Sequence, residues 1–174
     1  MPHNYIALPT IERLNEVFHL NRETGELTWK PRDGEKSWNA KYAGKIAGCT
    51  RKDTGYRVVA VDDRLYRAHR IIWKMVNGRD PIAEIDHRNL SKGTNAPDNL
   101  REATSAQNKM NRPVMVTNKS GLKGAHYVKR RGDYMAAISV KGRQRYLGYF
   151  PTAQEAHDAY VAAAREIHGD FARG

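Results

Sequence analysis

A chain of 174 residues, 40% of them hydrophobic, has room for one sizeable domain or two to three small modules with modest cores. A mean hydropathy of −0.77, with no apolar run near the roughly 20 residues that cross a bilayer, excludes a helical membrane span, and Met1 to Pro9 does not read as a secretion signal. Thirty Lys+Arg against 19 Asp+Glu give a formal net charge of +11 and point to a polyanionic partner, because basic side chains displace the counterions condensed on a nucleic acid backbone. Charge kept for solubility alone is the plain alternative. A basic membrane-surface patch is another, but no apolar-faced basic helix supports it. The single cysteine, Cys49, cannot form an internal disulfide or a Cys-rich zinc site. It is expected to be a small buried filler in a protein of a reducing, intracellular compartment.

In chain order, Ile11, Leu14, Val17 and Phe18 have helical spacing behind Thr10 as N-cap. A turn at 23–26 leads into a strand at 27–30. Residues 31–42, polar and holding Pro31 and Gly34, are expected to be loop. A short strand is expected at 44–48. Two further runs, 56–61 and 65–68, flank Asp62-Asp63-Arg64 as a hairpin, so the first 68 residues are expected to be mainly a small antiparallel sheet. A helix follows over 69–77, with Gly78 as its stop. A short strand at 82–85, a polar loop at 88–98, a second strand at 100–103 and a helix from Thr104 to about Asn111 complete the middle of the chain. Residues 113–120 read as linker. Beyond them, strands at 125–129, 134–140 and 144–150 precede a helix opened by the capping box Thr152…Glu155 and stopped at Gly169. That helix is rich in alanine, so a small-sided face is expected to lie against the three strands.

The segment 86–108 holds the parts that phosphodiester hydrolysis needs. A histidine can activate water, since its unperturbed pKa of about 6.5 lies near working pH. Carboxylate and amide oxygens suit a hard divalent cation. Asp86 and His87 end the first short strand, Asn99 precedes the second, and Asn108 lies about one turn into the following helix. By themselves these residues are a weak signal, and a surface turn with capping side chains is the plainer reading.

Their order and spacing resemble the HNH endonuclease family of phages and introns. The resemblance runs through His69-Arg70, Ile85-Asp86-His87, Asp98-Asn99-Leu100-Arg101 and Ala106-Gln107-Asn108, and covers about residues 65–112. It implies a ββα-metal core. His87 would be the general base, Asn99 would orient it and tighten the loop, and Asp86 and Asn108 would be ligands to one divalent cation, Mg²⁺ or Mn²⁺. Asn108 stands where the family name has His, which makes this an HNN variant and a Zn²⁺ preference less expected. His69 reads as structural. Arg70 and Arg101 are candidates to bind phosphate.

From Asn118 to Pro151, eight basic residues face only Asp133 among acids, with Tyr127, Tyr134 and Tyr146 interleaved. Gly121-Leu122-Lys123-Gly124-Ala125, Tyr146-Leu147-Gly148-Tyr149-Phe150 and the helix from Thr152 resemble the DNA-binding domain of plant ethylene-response factors over about residues 119–172. The resemblance implies a three-stranded sheet entering the major groove. Candidate DNA contacts are Lys123, His126, Lys129, Arg130, Arg131, Tyr134, Arg143, Arg145 and Tyr146; the sequence preference of the plant domain does not transfer.

The expected protein is α+β: a β-rich module (1–68), a nuclease core (69–112), a linker (113–120) and a DNA-binding domain (121–174). Its expected partner is double-stranded DNA, with no membrane and no protein partner implied, and it would act as a monomer or homodimer. The expected location is the cytoplasm of a bacterium or phage-infected host. The rival readings are a non-catalytic DNA-binding regulator that kept the scaffold of a nuclease, and an RNA-binding protein.

Overall fold

Thr10 caps the first helix: its hydroxyl accepts from Arg13 N at 3.2 Å, and α1 (Ile11–Val17) follows with Leu14 and Val17 buried. The structure, a computed structural model, describes residues 6–114, 117–140 and 142–172, and the chain divides into two units, Met1–Glu102 and Ala103–Gly174. The architecture is mixed α/β with several small antiparallel sheets.

In the first unit β1 (Phe18–Leu20) pairs antiparallel with β2 (Leu27–Trp29), Phe18 opposite Trp29. Residues expected as loop instead contain a helix, α2 (Lys36–Tyr42), which buries none of its residues. Side chains hold it in place. The Trp38 ring stands edge-on to Trp29 at 5.5 Å, and Tyr42, one turn on, lies 5.3 Å from Trp38. Asn39 clasps the Arg32 backbone with both amide atoms, at 2.8 and 2.7 Å. Pro31 and Gly34 lie ahead of the helix and so do not break it. The strand expected at 44–48 shrinks to one bridge, Thr28 to Ile46, and the paired residues begin later, at β3 (Cys49–Thr50). Cys49 is exposed on this two-residue edge strand, which overturns its reading as a buried filler.

β3 pairs with β4 (Arg57–Val61), and β4 with β5 (Arg64–Arg67), both antiparallel. Asp62 and Asp63 make the hairpin turn at φ +48° and +60°, the left-handed pair a tight hairpin requires. α3 (Ala68–Asn77) leaves β5 directly and ends at Gly78, whose φ of +73° lets its N–H reach Lys74 O at 2.9 Å. Ile71 and Ile72 on α3 join Leu14, Phe18, Leu27 and Val59 in the core. Each such burial contributes roughly 1.5–3 kcal/mol. β6 (Glu84–His87) begins two residues later than expected and pairs with β7 (Leu100–Ala103), so Asp86 and His87 are strand residues.

In the second unit α4 (Ser105–Met110) is opened by a capping box between Thr104 and Gln107. The strands β8 (Ala125–Val128), β9 (Asp133–Val140) and β10 (Arg143–Phe150) form an antiparallel sheet in the order β10-β9-β8. A capping box of Thr152 and Glu155 opens α5 (Ala153–His168). Ala156 of α5 packs on Ala125 and Ala136, and Tyr160 and Ala164 pack on Ile138. Gly124, at φ +77°, leaves the space that the Tyr160 ring fills; a Cβ there would lie 2.1 Å from it. Lys141 and residues 115–116 of the expected linker lie outside the described residues. No helix among the described residues is long and apolar enough to cross a membrane.

Candidate active site

His87 closes β6 and is 4% exposed. Its Nε2 lies 3.0 Å from Asn95 Oδ1. With an amide oxygen as the acceptor, Nε2 carries the proton and Nδ1 is the basic nitrogen. The His69 ring stands edge-on to His87 at 5.2 Å, and the Tyr56 ring lies 5.1 Å from His69 and 6.0 Å from His87. Burial pushes the His87 imidazole below its ordinary pKa, and the charge of Lys92 adds to the fall, while the Asn95 hydrogen bond and Asp86 oppose it. His69 is pushed down to about 3, first by burial and then by His87, Arg67 and Arg70. It is therefore neutral at working pH and acts as packing beside the base.

Asp86, the neighbour of His87 on the strand, is also 4% exposed. Its Oδ2 accepts from Arg101 Nε at 2.9 Å and from Arg101 Nη2 at 2.8 Å, a fork of the kind Arg makes with carboxylates. Arg101 is buried in this pair. Arg70, also buried, donates to the carbonyls of Ala83 and Pro81. The structure thus commits both arginines to protein partners, where the sequence made them candidates for phosphate.

The loop from 88 to 99 is tied by Asn99. Its Oδ1 accepts from Asn89 N at 3.0 Å, and its Nδ2 donates to Thr94 O at 2.7 Å and Asn89 Oδ1 at 3.0 Å. Arg88 N donates to Asn99 O at 2.8 Å, closing the loop at its neck. Leu90, at φ +64°, makes the tight bend after the strand, its N–H on His87 O at 2.9 Å. Asn95, which is 4% exposed, makes the hydrogen bond to the base, and Asn99 shapes the loop that carries Asn95. Asn95 was not singled out from sequence. Its only signal was its place between Gly93 and Pro97 in a loop already marked as functional. Asn108 is in α4, in the second unit, its N–H on Thr104 O at 2.9 Å.

The candidate DNA-contacting residues sort by strand register. Cross-strand partners share a face. Tyr134, Arg143 and Arg145 pair with Phe150, Val140 and Ile138, and so lie on the face that packs against α5. His126, Met135 and Tyr149 lie across from one another on the other face, as do Tyr146 and Ala137. There the rings of Tyr146 (54% exposed) and Tyr149 (41% exposed) lie 5.3 Å apart, tilted by 59°, and the Arg131 guanidinium sits 3.9 Å over Tyr149. Lys129 and Arg130 are exposed in the turn between β8 and β9. The half-buried Lys123 is spent within the unit, its ammonium donating to Met110 O and to Arg112 O. Tyr149 is a member of the outer face that sequence reading did not single out.

Residues 66–110, which hold a histidine and a carboxylate side by side at the end of a strand and an asparagine-tied loop returning to a second strand, match the family model described as HNH endonuclease. The chain is 32% identical over 108 residues to Protein 3.8 of Escherichia phage T7, across 62% of this chain and 88% of that protein, and it belongs to the family of that phage protein. It is 30% identical over 121 residues to the uncharacterized HNH endonuclease L560 of Acanthamoeba polyphaga mimivirus, across 68% of this chain and 62% of that one. A solved structure of DNA binding and cleavage by the HNH homing endonuclease I-HmuI overlaps 94% of this chain and 91% of its own, with a TM-score of 0.42 and 18% identity.

Proposed function

We propose that this protein is a divalent-metal-dependent endonuclease that hydrolyses phosphodiester bonds of double-stranded DNA, of the phage or mobile-element type that includes homing enzymes. The observation that carries this reading is His87, a buried, neutral imidazole oriented by Asn95 beside a strand-end carboxylate within an HNH-family domain. Nδ1 of His87 takes a proton from water, and the water oxygen attacks the phosphate. Asn95 holds the ring, and Asn99 holds the loop that presents Asn95. The expected products carry 5′-phosphate and 3′-hydroxyl ends.

The donor chemistry fits a hard cation: Asp86 offers a carboxylate and Asn108 an amide oxygen. Among the described residues no group of three or more His, Cys, Asp or Glu forms a metal site by itself. Mg²⁺ and Mn²⁺ keep several waters and use one or two carboxylates together with substrate phosphate, so Asp86 and Asn108 would serve as the protein's share of the ligands. When bound, the ion would stabilise charge on the scissile phosphate and on the leaving oxygen. The outer face of the second unit's sheet, with His126, Arg131, Tyr146 and Tyr149 and the turn residues Lys129 and Arg130, is the surface that would hold duplex DNA.

One observation favours a second reading, a DNA-binding regulator without cleavage: Asp86 is engaged by Arg101. Incubation of supercoiled plasmid with the protein and Mg²⁺ or Mn²⁺, with a chelator control, decides between them. Nicked or linear product from the wild type, and none from His87→Ala, is the expected result. Retained DNA binding without cleavage of any substrate gives the regulator.

A further inference from the structure

Tyr56, just ahead of β4, packs its ring against both histidines of the candidate site, and it also carries two cations. Arg67 Cζ, at the end of β5, lies 4.8 Å from the ring centroid. Lys92 Nζ, from the 88–99 loop, lies 4.8 Å from it as well and donates to Thr54 O at 2.9 Å. Both cations are exposed. Elsewhere Arg13, Arg51, Lys74, Arg79, Arg101 and Arg131 are each neutralised by a carboxylate. Among the described residues no carboxylate pairs with Arg67 or Lys92.

Ordering a long basic side chain costs rotamer entropy, up to about 2 kcal/mol. A cation–ring contact at an exposed site returns about 0.5–1 kcal/mol. Arg67, fixed on the ring beside the base without counter-charge, is therefore poorly explained as a stability device, and Lys92, which also gains the bond to Thr54 O, brings a second uncompensated charge to the same ring. They are well suited to a ligand that brings its own negative charges. The charges of both reach the histidine pair: that of Lys92 is felt at His87 and that of Arg67 at His69.

We propose that Arg67 and Lys92 bind the DNA phosphates next to the bond presented to His87, and that Tyr56 is the positioning residue that holds both cations. This rests on the nuclease reading for its location. It assigns the phosphate contacts to two exposed residues in place of the buried Arg70 and Arg101.

The test uses the full chain and a duplex oligonucleotide. Binding is followed by fluorescence anisotropy with chelator over a range of salt, and cleavage by kcat and KM with Mg²⁺. Arg67→Gln and Lys92→Gln are each expected to flatten the slope of log K against log salt by about 0.9, the loss of one phosphate contact. Each should raise KM several-fold and change kcat less. Tyr56→Phe keeps the ring and should behave as wild type, whereas Tyr56→Leu should raise KM as the cation variants do. Unchanged slope and KM in both Gln variants overturn the proposal, whatever Tyr56→Leu does to folding. If the wild type binds duplex but never cuts it, the nuclease reading fails separately. The slope then decides for the pair alone, a loss of about 0.9 per variant supporting it and no loss overturning it. If the wild type binds no duplex, both fall.

Discussion

His69 makes the stability of the first unit depend on pH in a way that can be calculated. Its folded pKa, about 3, lies below the ordinary 6.5 because burial disfavours the charged ring. The sign follows directly: the unfolded chain binds the proton more readily, so the stabilising contribution is fully present above pH 6.5 and is lost as pH falls through 6.5 towards 3. Each pH unit in that window costs about 1.4 kcal/mol. Between pH 7.5 and 4.5 the loss from His69 alone is therefore roughly 2.5 kcal/mol, a large part of a typical domain's stability. Replacing it by Gln removes the titration. All three tryptophans, Trp29, Trp38 and Trp73, lie in the first unit, so Trp fluorescence during urea unfolding reports that unit. The stability difference between pH 7.5 and 4.5 should be smaller in His69→Gln than in wild type by about that amount. The residual dependence should keep the same sign, since His87 is also depressed and His69→Gln leaves it in place. Equal pH dependence in the two proteins would refute the buried, neutral assignment.

Three further outcomes follow from individual contacts. Asn95→Ala removes the partner of His87 Nε2 in a buried setting, so it should cost about 1–3 kcal/mol in urea unfolding and lower kcat in plasmid nicking. Arg101→Leu leaves the buried Asp86 carboxylate without its fork, which should cost about 3–5 kcal/mol, and adding Asp86→Leu should recover much of that loss of stability without restoring cleavage. Gly124→Ala sets a Cβ against the Tyr160 ring at a left-handed backbone position, so it should cost at least about 1–3 kcal/mol and speed amide exchange across β8, β9 and β10.

The elements most legible in the sequence were those whose signal is local. Thr104 reads as an N-cap and Thr152 as the opening of a capping box with Glu155, and in the structure both form capping boxes, Thr104 with Gln107. The Asp62-Asp63 hairpin and the Gly78 stop are similarly short-range. What was not legible depended on partners distant in the chain. α2 reads as loop because Pro31 and Gly34 precede it, and its helix is held by Trp29 and Arg32, outside the helix itself. A buried, paired arginine and a solvated one are the same letter, so Arg70 and Arg101 passed as phosphate ligands. The ligands now proposed, Arg67 and Lys92, are set apart by sharing one ring. Asn95 was hidden by its setting, since asparagine between glycine and proline is ordinary turn chemistry. Only the fold shows its side chain turned inward onto His87. Strand register puts Arg143 and Arg145 on the face toward α5, while the ring of Tyr149 on the other face holds Arg131, a difference that a count of basic residues does not see.

The N-terminal hairpin, taken from sequence as a leading module, proves to bear on the site itself. Gly25 sits in the β1–β2 turn at φ +72°, its N–H on Asn21 O at 2.9 Å. A Cβ on Gly25 would lie 2.0 Å from the Asn95 carbonyl oxygen. The turn backbone therefore presses directly on the backbone of the residue that orients His87. The hairpin is in turn fixed in the core through Phe18 and Leu27, which pack with Ile71 and Ile72 of the helix that begins beside His69. A chain of rigid contacts thus runs from β1–β2 through the turn to Asn95 and from α3 to His69, and the two branches meet on the imidazole. The base thus lies between His69, which precedes it, and Asn95, which follows it and is backed by the β1–β2 turn. The residues outside the 66–110 match therefore back the side chain that orients His87, and a fragment cut to the family match would lose Gly25, Tyr56 and the core beneath them.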